Sequence, residues 1–407
     1  MSSKEGDAPQ FDTGDIDRWV GIPLGGSNMK DPVHVNDIRR WAKAMQNPNP
    51  LYYDEKYAAD SRFGRIVAPQ SFTPACSDSG GGVAPAIQGR IPGTHLLFAG
   101  DEYWFYGPRI FPGDKIRQDR MLYDYKVTET GFAGPSMFTR GDTTYINNRG
   151  EIIAKQRASA IRYNVESALA RGQYEQEDEP EWTRETLHQY EREKDLWIMG
   201  FRELGHGRRL SVEKGEKLPR RPIGPHSVES MILEWFATLA MPYGAFEPEG
   251  LGWESTEGES WDKEAGWLPE LARDAEGAKL DPARGDPVLY GPAKGHQSEG
   301  LAAKVGMPRG YGFGAMMTGW MIDYVANWVG EWGELVYCKS TLRAPTLTGD
   351  MAFLDGEVSA ILEDHPRGLG RPLALVQVTM TDQNEKVLAT FKTEVRLPTE
   401  AMPAPIA

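Results

Sequence analysis

Residues 33–72 read VHVNDIRRWAKAMQNPNPLYYDEKYAADSRFGRIVAPQSF, and this stretch decides the fold because its pattern returns later in the chain. Its apolar residues recur at helical spacing: Val35, Ile38, Trp41, Ala42 and Met45. Asn36 is the expected cap of that helix, and Asn-Pro-Asn-Pro at 47–50 ends it. A second, buried helix is predicted to begin at Ser71.

Three runs after this stretch alternate polar residues with β-branched and aromatic ones, which is the pattern of β-strands. They are HLLFAGDEYWFYG (95–107), KIRQDRMLYDYKVTE (115–129) and SMFTRGDTTYINNRGEIIAKQRASAIRYN (136–164). Turn residues mark Pro112-Gly113-Asp114 and 147–150, and the second turn divides the last run into two strands. One helix followed by several antiparallel strands predicts the α+β class.

The same order of elements returns in the second half of the chain. Helices are predicted in HSVESMILEWFATLA (226–240) and GAMMTGWMIDYVANWVG (314–330), and strands in LVYCKSTLRAP (335–345), MAFLDGEVSAIL (351–362), ALVQVTMTD (374–382) and KVLATFKTEVRLP (386–398). Asn384 follows Asp350 by the same number of residues that separates Asn148 from Asp114. The two halves are therefore predicted to be structural duplicates.

Composition divides the chain further into segments. We predict an N-terminal tail (1–30), a first domain (31–165), a charged helical connector (166–210) and a second domain (211–400). The second domain carries an insertion at about 244–290 that is rich in Gly, Glu, Asp and Pro and has no periodicity. Long insertions of this kind are commonly functional or mobile.

Charge and composition restrict the class of protein. With 45 basic and 59 acidic side chains the net charge is −14, which disfavours nucleic acid and anionic membranes as partners. No secretory signal and no apolar stretch of membrane-spanning length is visible. The two cysteines, Cys76 and Cys338, form neither a disulfide framework nor a metal motif, so we expect a cytoplasmic protein without a metal or cofactor.

An ordered series of motifs resembles a known family. The series consists of NPNPLYYDEKYA (47–58), IVAPQSF (66–72), GHQSEGLAAKVGMPRGYGFG (295–314), TGWMIDYVANWVGEWG (318–333) and LRAPTLTGD (342–350). It resembles the MaoC-like acyl-thioester dehydratases and (R)-specific enoyl-CoA hydratases, over about residues 30–400. The resemblance implies a tandem, or double, hot-dog fold, in which each antiparallel sheet wraps around a central helix. It also implies an acyl-CoA substrate and hydratase or dehydratase (hydro-lyase) activity. A homodimer is expected because symmetric association is common among soluble proteins.

The family pattern places an acid/base Asp five residues before a His, and a helix-starting Gly 18 residues after that His. In the first half these positions hold Asn47, Tyr52 and either Pro69 or Gln70. An amide cannot exchange protons usefully near neutral pH, and a phenol with a pKa of about 10 is a poor base. We therefore expect the first half to shape the acyl pocket and not to catalyse the reaction.

The second half retains more of the pattern. His296 stands at the His position and Gly314 follows it by 18 residues, so the resemblance implies that the Gly314 amide binds the thioester oxygen. The Asp position is Gly291, and the nearest substitutes are Asp286 and Tyr290. A histidine can act as base or proton shuttle at physiological pH. The predicted catalytic residues are therefore His296, Gly314, Tyr290 and Asp286.

Four further residues are predicted to bind substrate: Tyr311, Met317, Tyr52 and Arg343. Met317 belongs to an apolar helical stripe that either lines an acyl tunnel or fills the core. Arg343 either meets a CoA phosphate or has a structural role. The other histidines are predicted to be structural or exposed: His34, His95, His188, His206, His226 and His365.

Two alternative functions remain open from the sequence. Hot-dog proteins also hydrolyse acyl-CoA, so a thioesterase is the first. The departures from the motif favour the second, a non-catalytic subunit that binds an acyl-thioester.

Overall fold

The computed structural model describes residues 11–29, 31–76, 84–89, 91, 94–172, 178–238, 296, 302–303 and 306–401. Its strands are β1 (Pro23–Asn28), β2 (Thr94–Phe105), β3 (Ile116–Thr130), β4 (Gly134–Asn147), β5 (Ile152–Asn164), β6 (Lys217–Ile223), β7 (Glu334–Leu342), β8 (Ala352–Leu362), β9 (Leu373–Asp382) and β10 (Val387–Arg396). Its α-helices are α1 (Gly14–Asp17), α2 (Val35–Ala44), α3 (Glu55–Asp60), α4 (Val165–Arg171), α5 (Arg184–Leu204), α6 (Val228–Ala237) and α7 (Gly314–Val329). These elements confirm the predicted α+β class and the predicted strands.

All ten strands form one antiparallel sheet in the order β1-β3-β4-β5-β2-β7-β10-β9-β8-β6. The order of the second half mirrors that of the first, with β2 pairing β7 at the centre. Three residue pairs form this central junction: Glu102 with Lys339, Tyr103 with Cys338, and Trp104 with Tyr337. The halves are thus related by an approximate two-fold axis between β2 and β7.

Backbone hydrogen bonds establish the register of the duplication. The amide of Val33 donates to the carbonyl of Asp114 at 2.9 Å, and the amide of His226 donates to the carbonyl of Asp350 at 2.9 Å. Each bond connects the chain before the first helix of its half to the turn after the second strand. Val33 is therefore equivalent to His226, which makes α2 the counterpart of α6.

The central helix of the second half is α7, and its side chains are buried from Met316 to Val325. Arg221 on β6 connects α7 to the first half. Its guanidinium donates hydrogen bonds to the carbonyls of Trp320 on α7 and Met45 after α2. Helix α7 therefore contacts elements of both halves. It is the apolar helix predicted from the sequence.

The first half lacks a matching α-helix among its described residues. The helix predicted from Ser71 is instead a buried 3-10 helix, Gln70–Cys76. Pro74 lies inside it, and a proline there has no amide hydrogen to donate and crowds the preceding turn. The proline explains why α-helical hydrogen bonding is not established over this stretch.

Three further details differ from the predictions. Strand β1 pairs with β3, so the sheet extends into the predicted N-terminal tail. Helix α2 is capped at His34 and not at Asn36, because the Asp37 carboxylate accepts the His34 amide hydrogen at 2.8 Å. The connector is helical as predicted, but α5 buries Trp197 and Phe201 and is not wholly solvated.

The insertion at about 244–290 lies outside the described residues. No helix within the described ranges is long and apolar enough to cross a membrane.

Candidate functional site

The start of α7 is a partly buried helix terminus without a side-chain cap. Phe313 occupies the N-cap position, and its side chain makes no capping hydrogen bond. Gly314 is the first helical residue, and no acceptor for its amide lies within the described part of the chain. Unpaired amides at a helix start, together with the helix dipole, favour an oxygen that carries negative charge.

Gly314 also sits where no side chain fits. A Cβ atom there would lie 2.7 Å from Cδ1 of Phe98 and 2.7 Å from Cδ1 of Leu342. Phe98 belongs to β2 and Leu342 to β7, so both halves close on the helix start. Glycine is the residue that allows this approach.

His296 is buried beside the same helix start. Its Nδ1 donates to the carbonyl oxygen of Tyr311 at 2.5 Å, and its ring stacks on Phe313 with centroids 4.4 Å apart. Because a carbonyl only accepts, Nδ1 carries the hydrogen, and the neutral ring then presents Nε2 as a proton acceptor. The structure thus brings His296, Tyr311 and Gly314 together, as the sequence predicts.

Tyr311 links this loop to the first half. It forms an isolated β-bridge with Leu347, and its hydroxyl lies 3.3 Å from Nε2 of His95 on β2. Its small apolar cluster includes Leu97 and Phe132 from the first half as packing partners. The sequence carries no signal for the proximity of His95 and Phe98 to the site, because that proximity depends on how β2 meets the second half.

The backbone register identifies the equivalent site of the first half. The amide of Gly312 donates to the carbonyl of Thr346 at 2.8 Å, and the amide of Ala68 donates to the carbonyl of Ile110 at 2.9 Å. These two bonds occupy the same place before the central helical segment of each half. Two residues further along, each half reaches its helix start.

Gly314 is therefore matched by Gln70 and not by Pro69, and His296 is matched by Tyr52 without a gap. These matches settle the alternative that the sequence left open. They also allow the two sites of the duplicated fold to be compared position by position.

Residues 18–156 match the family model of the FAS1-like dehydratase domain region. A solved MaoC-like dehydratase superposes with a TM-score of 0.58 at 16% identity, covering 94% of this chain and 99% of that one. A conserved hypothetical protein from Mycobacterium tuberculosis with a double hotdog fold superposes with a TM-score of 0.52 at 8% identity, covering 94% and 98%. This chain has a double hot-dog fold similar to that of these structures.

A relative from Thermomonospora curvata adds similarity at the level of sequence. It is 27% identical over 235 residues, which cover 54% of this chain and 70% of the relative. Its name is probable enoyl-CoA hydratase alpha subunit.

In the first half, structural hydrogen bonds occupy the position that corresponds to the helix start at Gly314. Nε2 of Gln70 donates to the carbonyl of Leu335 at 3.0 Å, and Oε1 of Gln70 accepts the Leu335 amide hydrogen at 3.2 Å. Tyr52 is buried next to Arg109, and burial raises the pKa of its phenol far above the ordinary value. Neither side chain is placed to exchange protons with a ligand.

Asn47 has a structural role as well. Its Nδ2 donates to Oδ2 of Asp323 at 2.9 Å, and its Oδ1 accepts from Nδ2 of Asn327 at 3.0 Å. Both partners lie on α7. Beside this network, the cleft lined by Gln70 and Arg109 holds about 20 Å³, which is room for roughly one water molecule.

The remaining predicted site residues have different surroundings. Met317 is buried in the main hydrophobic core, which favours the core interpretation of the apolar stripe. Arg343 is exposed directly after Leu342, and its side chain has no partner in the part of the chain that the structure describes. Asp286 and Tyr290 lie outside the described residues.

Proposed function

We propose that this protein is an enoyl-CoA hydratase or 3-hydroxyacyl-CoA dehydratase. It adds water to the 2,3 double bond of an acyl-thioester, or removes it, in the second half of the chain. The observation that carries the proposal is His296, oriented by Tyr311, beside the uncapped helix start at Gly314. The name of the T. curvata relative supports the same class of reaction.

The helix start supplies the electrostatic part of the mechanism. When water attacks the β carbon of an enoyl-thioester, negative charge develops on the thioester oxygen. The Gly314 amide and the positive end of the α7 dipole stabilise this charge at a partly buried position. Phe98 and Leu342 pack against the helix start.

His296 supplies the base. With the hydrogen on Nδ1 bonded to Tyr311, Nε2 takes a proton from water while the water oxygen bonds to the β carbon. A second group must protonate the α carbon. Asp286 and Tyr290 are the candidates that the sequence provides for this role.

The acyl chain is proposed to lie between the halves. The first half contributes His95 and Phe98 to the surroundings of the helix start, while its own site is closed by Gln70. This division of roles is what the sequence analysis expects of a non-catalytic first half. Arg343, exposed beside the helix start, is proposed to contact a CoA phosphate.

The proposal requires no resident metal or organic cofactor. We further propose a cytoplasmic homodimer, because closed two-fold dimers are the commonest assembly of soluble enzymes. Light scattering coupled to size-exclusion chromatography tests the dimer by measuring the mass in solution.

Mass spectrometry in oxygen-18 water tests the reaction. Short, branched and aromatic enoyl-CoA thioesters are offered to the wild type, to His296→Ala and to a control, His188→Ala. His188 is an exposed histidine of α5. We expect labelled 3-hydroxyacyl-CoA from the wild type and the control, and a loss of at least 100-fold in His296→Ala.

Other outcomes identify the alternatives. Free CoA from the wild type would establish a thioesterase. Tight binding of the thioester without turnover, followed by turnover when a second protein is added, would establish a binding subunit. The word subunit in the name of the T. curvata relative, together with Gly291 at the motif's acid position, is the observation that favours this second candidate.

A further inference from the structure

Glu234 is a buried carboxyl group to which the sequence analysis assigns no role. It lies on α6, its side chain is 2% exposed, and it has no hydrogen-bond partner within the described residues. Burial raises the pKa of this carboxyl well above its ordinary value, which favours its protonated form. Desolvating a carboxyl costs free energy, so its burial on α6 requires an explanation.

The duplication indicates which residue of the first half corresponds to Glu234. Val33 and His226 are equivalent by their backbone hydrogen bonds, and eight residues further along come Trp41 on α2 and Glu234 on α6. In the first half Nε1 of Trp41 donates to Oγ of Ser71 at 3.0 Å. Trp41 therefore points at the residue directly after the helix start of its own half.

The corresponding residue of the second half is Ala315, in the first turn of α7. By this register we infer that the Glu234 side chain faces the first turn of α7, which begins at Gly314. An independent contact supports the orientation. Met231, one turn before Glu234 on the same buried face of α6, has its Cε 3.7 Å from the position that a Cβ of Gly312 would occupy.

We propose that Glu234 is the second acid/base group of the reaction, in place of the Asp that the motif lacks at Gly291. This inference rests on the proposed function and names the missing proton donor of that same site. It replaces Asp286 and Tyr290 with a residue that lies within the described part of the chain and is buried.

The proton balance of the step is complete with these two groups. In hydration, Nε2 of His296 takes one proton from water while the water oxygen bonds to the β carbon. The π electrons move to the α carbon through the enolate, and Glu234 gives its proton to that carbon. The imidazolium then returns a proton to the Glu234 carboxylate through solvent. Dehydration is the same sequence in reverse.

Glu234→Gln tests the assignment because it keeps the shape of the side chain and removes the transferable proton. We expect kcat to fall at least 100-fold with KM within about threefold of the wild type. Thermal unfolding is expected at the same temperature or higher, because the substitution removes a desolvated carboxyl. Glu229→Gln is the matched control, since Glu229 is exposed on the same helix, and it should leave both constants unchanged.

Three outcomes overturn the inference. Wild-type kcat in Glu234→Gln would do so while the proposed function stands. A combined rise in KM and loss of thermal stability would show that Glu234 is structural. Absence of any hydration by the wild type across the thioester panel would overturn the proposed function and this assignment together.

Discussion

Nδ2 of Asn47 donates a hydrogen bond to Oδ2 of Asp323 at 2.9 Å. A residue of the first-half motif thus contacts the central helix of the second half. Both side chains are buried. In the catalytic pattern of the family this position carries an acid/base Asp. Here an amide replaces it, because a second carboxyl could not share the site with Asp323 in the ionised form.

Asn47→Asp is therefore expected to destabilise the fold by about 3–5 kcal/mol. Burial already raises the pKa of Asp323, and a second carboxyl would hold a proton in the folded state at pH values where the unfolded chain has lost it. The folded state then binds more protons, so the destabilisation grows as the pH rises above about 4. Denaturant unfolding at pH 5 and pH 8 measures this growth.

Asn148→Asp is the control for this substitution, because Asn148 is exposed in a turn and should change stability by less than about 0.5 kcal/mol. Equal stability of Asn47→Asp and the wild type at both pH values would contradict the structural role of Asn47.

Gly314→Ala is expected to remove activity and to lower stability by about 1–3 kcal/mol. The added methyl group would meet Phe98 and Leu342 at 2.7 Å, so the helix start must shift away from the reacting oxygen. Steady-state kinetics of thioester hydration and denaturant unfolding measure the two effects.

Gly319→Ala provides the same change in the same helix. There the nearest atom to the added methyl group is Sδ of Met45 at 3.1 Å, at the flexible end of a side chain. This variant should keep most of its activity. If Gly314→Ala were as active as Gly319→Ala, the helix start would not be the oxyanion site.

Much of the fold was predictable because its signals are local. Alternation along the strands and the apolar length of α7 depend on neighbouring residues, and the duplication appears directly in the order of elements. The helix predicted from Ser71 is an exception. Pro74 prevents regular α-helical hydrogen bonding there, and the segment forms a 3-10 helix.

The site was only partly predictable. The spacing of His296 and Gly314 is a sequence signal, and the structure brings both to one helix start. His95 and Phe98 arrive there from β2, about 200 residues away in the sequence, through the pairing of β2 with β7. No periodicity within either half contains that information, because it arises where the halves meet.

Arg343→Ala is expected to raise KM for CoA thioesters about five- to tenfold with little change in kcat, because an exposed charge near phosphate contributes roughly 1 kcal/mol. Kinetics with an N-acetylcysteamine thioester, which lacks the phosphates, should show no difference from the wild type. Arg192→Ala, at an exposed arginine of α5, is the control. An equal rise in KM for both thioesters would argue against a phosphate contact.

Asp101 is expected to make stability depend on pH. It lies buried on β2, Nε2 of Gln156 donates to its Oδ1 at 2.7 Å, and burial raises its pKa to about 8. An unfolded Asp loses its proton near pH 4, so between about pH 4 and pH 8 the folded state binds more protons than the unfolded state. The free energy of unfolding therefore falls as the pH rises through this window and levels off above it.

Asp101→Asn retains the oxygen that accepts from Gln156 and cannot ionise. Relative to the wild type, the variant should gain stability from pH 5 to pH 8, by up to about 4 kcal/mol. Denaturant unfolding across this range measures the difference, with Asp364→Asn at an exposed position as the control. Parallel curves for Asp101→Asn and the wild type would show that Asp101 is already ionised in the folded protein at pH 5.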